Sequence, residues 1–177
     1  MSIQASKQFS RQTIENVRVR IRPLEQMSPR LVPLYALWND KRGTRRFPAK
    51  RDIAPRDIKP FLKDATLLRV LDDGQDFEYR IVGDSHVQAF GRNFQGRRTS
   101  TFPGLDRLSE LAHRPVAIEG TPRLLQYFLT FKDYPLYHRE TLFLPLGEEG
   151  VDHILSAGTL LPPGSGDDQM QSVTPSG

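Results

Sequence analysis

The chain has 177 residues, 37% of them hydrophobic and 26% charged, with a formal net charge of +4. That length suffices for one domain with its own core plus polar ends. The absence of cysteine excludes disulfides, thiolate metal sites and cysteine nucleophiles, and no run approaches the ~20 apolar residues of a membrane span.

Residues 1–27 form a polar, basic N-terminal segment without the apolar block of a secretory signal. A cytoplasmic location is the expectation, and a cysteine-free chain suits a reducing compartment. Within this segment Val17-Arg18-Val19-Arg20-Ile21-Arg22 alternates as an edge strand would, and Pro23 stops it. The basic excess continues through Arg30, Lys41, Arg42, Arg45, Arg46, Lys50 and Arg51. Such a patch is first a solvated surface, and second a candidate face for an anionic partner.

Residues 28–161 are expected to form the folded domain. Ser28 to Lys41 reads as a helix, with Ser28 as N-cap, Pro29 at the first position and Gly43 beyond the end. Leu31, Leu34, Tyr35, Leu37 and Trp38 fall near helical spacing. This stripe could pack on the domain's own sheet or form a dimer helix, and the two are compatible. Leu34 and Trp38 are the candidates for partner contact. Ala54 to Leu62 reads as a second, short helix.

Ala65–Leu71 and Phe77–Val82 are strand-like runs around Asp72-Asp73-Gly74-Gln75, a hairpin turn. Asp84 or Ser85 can cap a short helix that Gly91 closes. Leu105 to Ala112 has helical spacing, interrupted by Arg114-Pro115. Three strands follow: Arg123–Phe131, Tyr137–Leu146 and Val151–Leu160, with Lys132-Asp133-Tyr134-Pro135 as a hairpin loop between the first two. Residues 162–177, rich in Pro, Gly and Ser, are expected to be a disordered tail.

The order of helix, two strands, short helices and three strands resembles the PAS domain. The residues that carry this are Trp38 with Lys41-Arg42-Gly43, Phe47-Pro48, Arg51-Asp52-Ile53, Pro55 with Asp57-Ile58, Tyr79-Arg80-Ile81-Val82-Gly83, Phe90-Gly91 with Phe94 and Gly96, and Leu144-Pro145-Leu146 with Gly150. The set is similar to the stand-alone PAS-like family common in alphaproteobacteria. The resemblance implies an α+β fold: a five-stranded antiparallel sheet of order 2-1-5-4-3, with short helices on one face enclosing a pocket. It also implies a sensor in signal transduction, a regulatory module that binds a small ligand, a partner protein or both. By position in such a fold, Tyr79, Phe90, Phe94, Tyr127 and Phe143 would line the pocket. Arg80, His86 and Arg139 would be polar anchors. The chain leaves no room for an attached output domain, so output through a separate signalling protein is expected.

Cofactor chemistry is the third reading, after nucleic-acid binding, and no cofactor is assigned. Gly91-Arg92-Asn93-Phe94-Gln95-Gly96 is similar to the flavin loop of photosensory PAS domains, but lacks its cysteine, so a flavin–cysteinyl adduct is impossible and a structural turn is expected. His113 follows a helix where haem-binding members carry an axial histidine. His138 and His153 lie on adjacent strands without the further ligands of a metal site. Arg80 and Arg139 would pair locally with Glu78 and Glu140. Asp72, Asp73 and Asp76 are explained by turn propensity. No nucleophile elbow, P-loop or H-E-x-x-H motif is present, so an enzyme is not expected. A basic nucleic-acid-binding module is the remaining alternative.

Overall fold

The computed structural model describes residues 14–102, 104–131, 134–161 and 171–173. They form one antiparallel sheet. Its strands are β1 (Ile14–Arg22), β2 (Ala65–Leu71), β3 (Asp76–Val82), β4 (Arg123–Phe131), β5 (Tyr134–Gly147), β6 (Val151–Leu160) and β7 (Gln171–Val173). The order is β3-β2-β6-β5-β4-β1-β7. The expected five-stranded sheet is therefore corrected to seven. The β3-β2-β6-β5-β4 portion follows the expected 2-1-5-4-3 path. β1 then adds to β4, pairing Val19 with Tyr127 and Arg22 with Leu124. β7, within the 162–177 segment expected to be a tail, pairs with β1. The rest of that tail lies outside the described residues.

Both faces of the sheet carry a core, which explains the unbroken apolar run Leu142–Leu146 on β5. Alternate strand residues feed opposite cores, so a strand covered on both sides loses its polar phase. On the outer face lies helix α1 (Val32–Arg42). Its Leu34 and Trp38 pack with Leu31, Phe47, Phe61, Leu124, Leu142 and Leu144. Trp38 Nε1–H donates to the Pro145 carbonyl at 2.9 Å. Leu34 and Trp38 are thus buried, and they offer no side-chain surface to a partner. This corrects their assignment as partner-contact residues: the stripe they form is consumed by the domain's own sheet. The helix also starts later than expected. Ser28 to Leu31 form a turn, Leu31 takes the N-cap position without a side-chain cap bond, and the Ser28 N–H donates to Glu140 Oε1 at 2.6 Å. The expected helix over Ala54–Leu62 is a turn followed by a 3₁₀ segment, Lys59–Asp64.

The inner face is covered by α2 (Asp84–Phe90), α3 (Leu105–Leu108) and α4 (Arg114–Glu119). Gly83, not Asp84 or Ser85, is the N-cap of α2. A Cβ at Gly83 would lie 2.4 Å from the Lys63 carbonyl oxygen, so the close approach of two backbones selects glycine there. Gly91 closes α2 at φ 69°. Pro115 does not interrupt the third helical region. A π-helical turn, Ser109–His113, joins α3 to α4, and its Arg114 N–H reaches the Ser109 carbonyl. Widening the helix by one residue before the proline avoids the clash and missing hydrogen bond that proline brings to a regular α-helix. Tyr134 and Pro135 belong to β5, not to a loop, while Lys132 and Asp133 lie outside the described residues.

Candidate functional site

The inner face encloses a cavity of about 30 Å³. Its wall includes Tyr79 from β3, His86 and Phe90 from α2, Phe94 from the following turn, Tyr127 from β4 and Phe143 from β5. Six of the eight residues placed there from the sequence are brought together.

The aromatic wall is ordered by edge-to-face contacts, the favoured geometry for π quadrupoles. Phe94 meets Tyr79 at 4.5 Å and Phe90 at 5.4 Å, ring centre to ring centre. Phe94 reaches this position because Gly91-Arg92-Asn93-Phe94-Gln95-Gly96 is a tight turn. The Gln95 N–H binds Asn93 Oδ1 at 2.9 Å, and Gly96 takes φ 80°. The Gly96 and Tyr79 N–H groups then pair this segment with the edge of β3. The hexapeptide is a structural turn that presents one aromatic ring.

Two predicted anchors stand elsewhere. Arg80 points outward and binds Glu78 at 2.8 Å. Adjacent strand residues alternate, so Arg80 faces away from Tyr79, and the register shift between Leu67 and Leu68 leaves it without a Cα partner on β2. Arg139 lies on the inner face, fully buried, but behind the cavity. It pairs with Asp64 at 3.3 Å, not with Glu140. Glu140 faces the other way, where it binds Arg22 at 3.0 Å. Adjacent strand residues point to opposite faces, so the expected local pair was geometrically barred.

Asp64, at the end of the 3₁₀ segment, gathers the polar end of the site. Burial alone would raise its pKa. The Ser85 hydroxyl, Arg139 and Arg30 overcome that and hold it below the ordinary carboxylate value. The His86 Nε2–H donates to the Asp64 carbonyl oxygen at 3.2 Å, which sets the tautomer. Burial, then the Arg139 charge, push the His86 pKa down to about 3. His113 is also pushed down to about 3, by burial. Its Nδ1 meets the Ser109 hydroxyl at 2.8 Å, and its ring packs between Phe77 and Phe143, each 5.4 Å away. Both imidazoles are therefore neutral at pH 7. Burial also raises the Tyr79 pKa, keeping the phenol protonated.

Sequence reasoning overlooked the hydroxyls of the wall. Thr66 and Ser156 bond each other at 2.6 Å, and Thr141 bonds the Tyr127 hydroxyl at 3.3 Å. Thr141 was legible from β5 alternation with Phe143. Thr66 and Ser156 required the β2–β6 register. A Cβ at Gly158 would lie 2.6 Å from Thr141 Oγ1 and 2.9 Å from Arg139 Nε. Gly158 thus makes room for the buried guanidinium. Gly158→Ala is expected to cost about 1–3 kcal/mol by overpacking; urea unfolding checks this, and an unchanged midpoint would refute the crowding.

The other two histidines stand away from the cavity and from each other. His138 stacks on Phe128 at 3.7 Å on the outer face, and His153 sits beside Asp152. Among the described residues no group of three or more His, Asp or Glu could hold a metal. Asp76 also departs from its turn assignment: its carboxylate accepts bonds from the Ser100 hydroxyl at 2.8 Å and Thr99 hydroxyl at 3.2 Å, tying the hairpin to the segment after Phe94.

The profile of the PAS domain family matches residues 26–161. The chain belongs to the PAS domain family. Comparison with curated proteins and with solved structures returns no match. The match covers every residue lining the cavity, so the cavity is an integral part of the PAS domain. β1 and β7 lie outside the matched residues and extend the PAS sheet beyond β4.

Proposed function

We propose that this PAS domain is a regulatory module without catalysis of its own, which takes a small polar guest into its interior and passes its state to another protein. PAS domains are sensory and regulatory modules in general; the guest and the partner are the finer reading. The observation that supports it is the convergence of two neutral histidines and five hydroxyl-bearing side chains on one aromatic-walled cavity. Such groups can donate and accept hydrogen bonds without a charge to neutralise.

The size of the cavity limits the guest. Sites for drug-sized ligands begin near about 300 Å³, ten times the volume here. That volume favours a small guest over haem or flavin. His113, packed between two phenyl rings and bonded to Ser109, is a wall residue and not a free axial ligand. A guest of a few heavy atoms suits the space. The N-terminal basic segment favours the nucleic-acid alternative less, because Arg22 is paired with Glu140 and Arg18 stacks on Phe128 at 4.7 Å.

Formamide is a suitable probe, followed by NMR of the His86 and His113 imidazoles. Saturable shifts at both rings are expected, and Ser156→Val, which fills the cavity, should abolish them. Shifts absent from both rings, or unchanged in the variant, would refute the interior site.

A further inference from the structure

On the outer face, an apolar groove of about 130 Å³ runs between the Lys50–Leu62 segment and the sheet. Ile53, Ile58, Leu62, Leu67, Ile81 and Leu155 are among its walls. We propose that this groove docks an acidic, apolar-anchored peptide segment of a partner protein. The proposal rests on the reading that the domain passes its state to another protein, and does not depend on the interior guest.

The groove is too small for a drug-sized molecule but suits one anchoring side chain. Ile81 remains 37% exposed at its mouth, on β3, the last strand at that end of the sheet. An isoleucine held half open beside a ready apolar slot is where a partner side chain gains most by burial.

Charge selects the occupant. Lys50 lines the groove, and Lys59 stands on the side of Leu62, because positions three apart eclipse on a 3₁₀ helix. Lys50, Arg56, Lys59 and Lys63 are all exposed. Among the described residues Lys50, Lys59 and Lys63 make no ion pair. The acids nearby are engaged: Asp52 with Arg45, Asp57 with Lys41, Glu148 with Arg51 and Glu78 with Arg80. Glu149, in the β5–β6 turn, and Asp84, just after β3, stand without a described partner, against three unpaired lysines. A second copy of the chain would bring the same cationic rim against itself across a two-fold axis. An acidic segment relieves that excess and gains the steering that complementary charge provides.

The test uses two labelled peptides of alternating leucine and acidic residues, one as such and one with lysine replacing every acid. Fluorescence anisotropy with the full chain should show saturable binding of the acidic peptide only. Ile81→Asp should weaken it at least tenfold. Lys50→Glu with Lys59→Glu, both at exposed positions, should reverse the preference and keeps the test open if Ile81→Asp does not fold. Ser156→Val should leave binding unchanged, which separates this groove from the interior site. No saturable binding at millimolar acidic peptide, or binding indifferent to Ile81→Asp and to the charge reversal, would overturn the proposal. Self-association lost in Ile81→Asp, without peptide binding, would also overturn it in favour of a second copy.

Discussion

Stability is expected to fall steadily as the pH drops below about 6.5, well before carboxylates titrate. His86 and His113 are neutral in the folded chain, each with a pKa near 3. Unfolded histidine takes up a proton near pH 6.5. Between those values the unfolded state binds more protons, so lowering the pH favours unfolding. Each pH unit in that window costs about 1.4 kcal/mol per histidine, or about 4 kcal/mol for the two at pH 5. The lowered carboxyls Asp64 and Asp76 add a later loss, below about pH 4, as their stabilising bonds are protonated away. Urea unfolding at pH 7.5 and pH 5 measures the effect. His113→Phe should remove about half of the slope, since no charged group contributes to the His113 shift. A pH-independent midpoint between 7.5 and 5 would show that the imidazoles are accessible to protons.

Trp38→Ala is expected to lower stability by about 3–5 kcal/mol, the range for deleting a buried tryptophan. Trp38 is 3% exposed and the largest ring of the outer core. Trp38→Phe should cost far less, about 1–3 kcal/mol, mostly for the unpaired Pro145 carbonyl. Denaturant melts of the two variants distinguish a core residue from a partner-facing one. A near-neutral Trp38→Ala that instead changed the oligomeric state would restore the dimer-helix reading.

Much of this architecture was legible because its signals are local. Asp72-Asp73-Gly74 marks a hairpin by turn chemistry, and all three residues take positive φ. Gly91 marks a helix end for the same reason. The aromatic wall was legible because the resemblance fixed which elements face inward. What escaped was decided by long-range register. Arg139 and Glu140 look like a local ion pair, yet one reaches Asp64 and the other Arg22, on opposite faces. Arg80 looks like a pocket anchor, yet strand alternation points it away from Tyr79, towards Glu78. Pro115 looks like a break, and only the π turn before it shows how a helix passes through. Trp38 carried a signal for burial without saying in what. The groove beside Ile81 had no signature at all, because it exists only where the Lys50–Leu62 segment meets the sheet.

The placement of β1 has a consequence for making the protein. Arg22 meets Glu140, 118 residues further along the chain. On the ribosome β1 emerges before its partner β4 and must wait, unpaired, until residues 123–131 have been synthesised. Pairings of such separation close slowly, because loop entropy is lost before any contact repays it. Trimming the gene to the family boundary at residue 26 would remove that strand altogether. β4 would then expose its backbone, along with Leu125, Tyr127 and Leu129, as an open template for aggregation. A shortened chain that precipitates on expression would be reporting the loss of its own protective strand.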